Sequence, residues 1–144
     1  MASFTKANDW VKNDSEVADL DGDTFKVALS NTAPSSETNN PLADGKGILA
    51  NVTQISYTNL SSRTLTTIES SQTSGTYKLD FSDLVLTASG GSVGPFRYIY
   101  IYDDTPTSPA DPIVGVYDAG SAITIGDGGS RTLQFHASGF MNKT

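Results

Sequence analysis

Asp19-Leu20-Asp21-Gly22-Asp23 sets three carboxylates around one glycine, which begins like a calcium loop. An EF-hand series runs on to a bidentate glutamate that this stretch lacks, so the acids read as an Asx-type turn. Asp103-Asp104 offers two carboxylates, the raw material of acid–base catalysis. Neighbours on an extended chain point to opposite sides, so the pair cannot attend to one bond and reads as a turn with exposed acids. His136 is the single histidine and has no triad motif near it, which makes it structural or exposed. Gly45-Lys46-Gly47 lacks phosphate-loop spacing. With one histidine and no cysteine, neither a zinc site nor a thiolate nucleophile can be composed. The expectation is a protein that is not an enzyme and needs no cofactor or metal.

The elements that would position any site are organised around Arg97 to Asp103. Tyr98, Tyr100 and Tyr102 fall on one face of a strand there, and Ile99 and Ile101 fall on the other. Neither face is polar, which predicts a central strand covered on both sides. The tyrosines could stack on a sugar, but burial in the core or against another subunit is the simpler reading.

The chain has 144 residues, enough for one domain with a real core. Its 37% hydrophobic and 17% charged composition, rich in Ser, Thr, Asn and Gly, favours strands and turns over long helices. A net charge of −7 argues against a partner held through phosphates, and no basic cluster offsets it. Neither nucleic acid nor membrane is an expected partner. No secretory leader is expected from Met1 to Lys6, and no apolar run has the ~20 residues of a membrane span.

Along the chain, Phe4, Ala7, Trp10 and Val11 recur at spacings of three and four. That predicts a short amphipathic helix capped by Ser3, within an N-terminal segment 1–22. Trp10 reads first as an anchor of this segment to its own domain and second as a partner contact. Strands are predicted over 24–29, 52–57, 63–69, 77–81, 84–86, 113–117, 121–125 and 131–135, besides the central one. Turn formers separate them, and 126–129 reads as a hairpin turn. Gly115, inside a strand, points to a bulge or a close backbone approach. Long connections run over 30–51 and 105–112, and 136–144 reads as a polar tail holding Phe140 and Met141. The fold class expected is all-β: a single antiparallel two-sheet β-sandwich, jelly-roll-like, with one short N-terminal helix.

Three segments together carry a family resemblance. Residues 23–34 (DTFKVALSNTAP), 90–105 (GGSVGPFRYIYIYDDT) and 111–125 (DPIVGVYDAGSAITI) are similar, in order and spacing, to a family of small tailed-bacteriophage structural proteins. The similarity spans roughly residues 4 to 135. It departs over Gln54 to Arg63, where the family commonly has a Gly-Tyr-Thr-Ala-Gly-Gly-like segment. The resemblance implies a virion protein, foremost a capsid decoration (cement) protein on the outer capsid surface. Its partner would be the major capsid protein, and it would form a trimer or dimer there. A tail or head-tail part, or a carbohydrate-binding fibre module, is the alternative. Loops and termini present function on such bodies, which makes Phe4, Trp10, Pro34, Leu42, Lys46, Pro106 and Pro109 the candidate partner contacts.

Overall fold

The computed structural model describes residues 3–135 and 140–143. His136 lies outside the described residues. Within them the fold is all-β and antiparallel with one short α-helix, and the strands form three sheets where spacing alone suggested two.

The largest sheet has four strands. Its centre is β6 (Val93–Asp103), flanked by β2 (Phe25–Ser30) and β7 (Ile113–Ile125), with β1 (Ser3–Lys6) beyond β7. Every residue from Tyr98 to Asp103 is buried, so the central, two-sided strand stands as expected. The register sets Val27 opposite Ile101 and Leu29 opposite Ile99, so these apolar side chains share one face. Ala28 and Ser30 lie on the other face, opposite Tyr100 and Tyr98.

The N-terminal expectation is corrected. Phe4 sits in a strand, and the helix α1 (Trp10–Glu16) starts later, behind Asp9 and not Ser3. Spacings of three and four also suit a strand that pairs with β7 and then turns inward at Ala7 and Trp10. The 52–57 strand is corrected: after a 3-10 turn at Leu49–Asn51 the chain there is irregular. That chain touches the edge of β2 at single points: Ile55 N–H donates to the Leu29 carbonyl, and Val27 N–H to that of Arg63. Strand β3 (Thr67–Thr73) lies later than predicted, and it runs on to Thr73 because the reversal into β4 (Thr76–Phe81) is confined to Ser74-Gly75. Both of those residues take positive φ, the geometry of a tight two-residue hairpin.

Residues 113–125 form one strand, not two. The turn formers after Asp118 become a bulge against β6, pinned where the Arg97 guanidinium holds the Asp118 carboxylate at 2.7 and 3.1 Å. The turn at 126–129 exists, but β8 (Ser130–Leu133) leaves β7 and pairs with β5 (Leu84–Thr87). In the tail, β9 (Met141–Lys143) adds to β4, completing the sheet β3-β4-β9.

Rings bind these layers. Trp10 meets Phe25 edge-on, Phe25 meets Phe81 at 5.5 Å, and Phe81 meets Phe135 and Phe140. Phe140 reaches Phe4, which lies on Tyr117 at 4.7 Å. Gly115 allows this closure, since a Cβ there would overlap the Phe4 ring and stand 2.6 Å from the Thr5 carbonyl oxygen. The expected close approach is thus present.

Candidate functional site

Three separate stretches meet beside α1. An open cleft of about 410 Å³ is lined by Asp9, Lys12, Glu16 and Val17 from the helical segment, Ile48 from the long connection, and Pro109 from the Pro-rich loop. These are the three regions from which the contact candidates were drawn.

Asp9 builds the site. Its Oδ1 accepts the Gly45 N–H and its Oδ2 the Gly47 N–H, each at 2.9 Å. Gly45 takes φ +76°, and a Cβ on Gly47 would stand 2.9 Å from that of Asp9, so both glycines are required to wrap the carboxylate. With its carboxylate engaged this way, Asp9 makes no side-chain cap to α1. Asn8 extends the clasp, donating its N–H to the Leu42 carbonyl and its side-chain amide to Asp44, each at 3.0 Å. Behind the cleft, Ile113 N–H donates to the Gly47 carbonyl at 2.8 Å and Leu49 N–H to that of Asp111 at 3.0 Å, tying the loop to the start of β7.

The seven contact candidates separate. Pro109 lines the cleft, and the exposed Lys46 lies within the clasped Gly45–Gly47 loop. Half-buried Leu42 and Pro106 do not line the cleft: Leu42 packs against the core, and the Pro106 carbonyl accepts Asp111 N–H. Trp10 is corrected as a surface contact: at 2% exposure it has no face to offer, and its packing on Phe25 fixes α1. Pro34 opens a 3-10 turn, and neither it nor Phe4, 41% exposed on the sheet edge, lines the cleft.

The three tyrosines are inside the protein and provide no stacking platform. Arg63 stacks on Tyr57, 3.8 Å from the ring centroid, and donates to the Val27 carbonyl at 2.7 Å and the Tyr102 hydroxyl at 3.5 Å. Tyr57 OH accepts the Leu29 N–H at 2.9 Å and donates to Gln54. Burial pushes the Tyr100 phenol well above its ordinary range, and the charges of Glu37 and Tyr98 add to this.

The acids behave unequally. Asp19 Oδ1 accepts the N–H groups of Asp21 and Gly22, and Asp23 Oδ2 accepts that of Asp19, so the Asx-type turn is present. The exposed-acid reading of Asp103-Asp104 is corrected. Asp103 is fully buried at the end of β6, while Asp104 is half-buried and paired with Lys26 at 3.3 Å. Burial, and after it the charge of Asp104, also raises Asp111. Among the described residues no group of three or more His, Asp or Glu side chains is arranged to hold a metal, and no helix is long and apolar enough to cross a membrane.

Sequence reasoning missed Asp9 and the burial of Asp103. For the first, only the glycine-x-glycine of the loop was visible locally, not its pairing with Asp9. No family model, curated protein or solved structure matches this chain.

Proposed function

We propose that this protein is a virion structural component, foremost a capsid decoration protein that docks on the outer surface of the major-capsid lattice through the end of the molecule bearing the α1 cleft. The observation that carries the reading is the convergence of three distant chain segments, fixed by backbone hydrogen bonds, on one cleft. It is joined by the resemblance of residues 23–34, 90–105 and 111–125 to phage structural proteins. A rigid sandwich-like body presenting such an end would bind a seam that exists only in the assembled shell, and so stabilise the shell by mass action. About 800 Å² per partner with a few well-packed anchors suffices for such a contact.

Charge sets the chemistry of the receiving surface. Between Asp9 and Asp23 the sequence holds six acids against one lysine, so the capsid surface opposite would be basic. Self-association as a trimer or dimer would follow the local symmetry of the lattice.

The test is occupancy on purified heads, paired with the position of the protein in a virion reconstruction. Ile48→Lys with Glu16→Lys, both in the cleft lining, should cut occupancy about tenfold, a loss of ~1.4 kcal/mol, while thermal melting stays near wild type. Occupancy should also fall as salt rises. Density for the protein on the tail, or undiminished occupancy of the variant, would sink the reading.

A further inference from the structure

The end of β6 holds an acid that capsid docking does not use. Asp103 is fully buried, on the sheet face that also carries Phe25, Val27 and Ile101. Its Oδ1 accepts the Thr105 N–H at 3.2 Å, but its Oδ2 is buried with no donor in reach among the described residues. The side chain facing this carboxyl closely enough to raise it is Asp23, another acid. Ionised carboxylates only accept, so the contact can close as a hydrogen bond only when one of the two carries a proton.

The remaining charges nearby give no relief. Asp104, next in the chain, adds a further negative charge, and Asp111, just ahead of β7, is itself raised by the charge of Asp104. The cation of the group, Lys26, pairs with Asp104 and sits opposite Tyr102, on the other face of the sheet from Asp103.

We propose that a proton on the buried Asp103 carboxyl, directed at Asp23, is a latch, holding the turn 19–24 and the Pro-rich loop 105–112 onto the end of the sheet. The backbone converges there: Asp104 N–H donates to the Thr24 carbonyl, Thr24 N–H to Thr105 Oγ1, and Asp103 N–H to the Pro112 carbonyl, at 2.8 to 3.0 Å. Loss of the proton sets two carboxylates against each other in a buried site and opens this junction, while the ring-packed sheets hold. The loop so released supplies Ser108 and Pro109 to the cleft, so the proton also governs the shape of that wall.

Burial, with the facing Asp23 carboxyl second, pushes Asp103 up to about 8 against the opposing Thr105 N–H. An unfolded aspartate ionises near ~4. Between the two values the folded chain holds the extra proton, so its stability declines as pH rises through that window and levels off above the folded value.

The experiment is a side-chain carboxyl NMR titration of Asp103, with amide exchange of Thr24 and Asp104 followed from pH 6 to 9.5 against exposed reference amides. Wild type should titrate well above the ordinary carboxylate range, and its two amides should lose about tenfold protection once Asp103 ionises. Asp103→Asn should keep them protected throughout. Titration of Asp103 below pH 5, or the same amide response in both proteins, overturns the latch. If Asp103→Asn does not fold, Asp23→Asn decides. The introduced amide can donate to the Asp103 carboxylate, so the midpoint should fall by about one unit or more, and an unmoved midpoint overturns the proposal.

Discussion

The two faces of β6 are covered by different kinds of material. On the isoleucine side the cover is regular: Phe25 faces Phe81 from the three-stranded sheet, and the ring contacts run on through Phe140 to Phe4. On the tyrosine side the chain between β2 and β3 has little regular structure. It is held by polar anchors: Arg63 on Tyr57, Val27 and Tyr102, and Tyr57 on Leu29. The difference teaches that one alternating strand can seal two interiors by two mechanisms. Rings seal one by area, which is non-directional. A few directed bonds fix the other, where each carries more of the specificity.

The largest expected effect comes from the ring side. Phe81→Ala should destabilise the fold by about 3–5 kcal/mol, read from urea midpoints, because Phe81 contacts three other rings and is 2% exposed. A loss under about 1 kcal/mol would mean the rings are not the seal. Arg63→Ala should cost about 1–3 kcal/mol and raise protease sensitivity between 52 and 66, and Arg63→Lys should recover little, since the planar stack on Tyr57 is lost. Tyr57→Phe removes only the hydroxyl that takes the Leu29 N–H and should cost about 1 kcal/mol. Equal losses for the alanine variants on the two sides would erase the contrast. Val85→Ser, at a half-exposed position outside both seals, should change stability by about 0.5 kcal/mol or less.

The sequence made the sheet legible where alternation was strong. Tyr98 to Tyr102 and Phe25 to Leu29 read correctly because period two and strong β-formers point the same way. It misled where a spacing served two structures, as at Phe4, Ala7, Trp10 and Val11. Over 52–57 alternating residues settled along the β2 edge without forming a ladder. The cleft was half legible. The loops that build it stood out by their turn formers, but the clasp depends on Asp9 meeting glycines 36 and 38 residues away, a pairing no local pattern encodes. Asp103 looked like a surface acid because the segments that close over it, the turn before β2 and the loop ending at Pro112, are set there by pairings that no local pattern encodes.

The contact between Phe4 and Phe140 joins residues 136 positions apart. During synthesis the Phe4 ring therefore lacks one of its partners until residue 140 has been made. Contacts of such long range slow folding, because the intervening loop must close before they stabilise anything. A nascent chain stalled short of residue 140 would carry an unsealed aromatic seam, an attractive spot for a chaperone to hold.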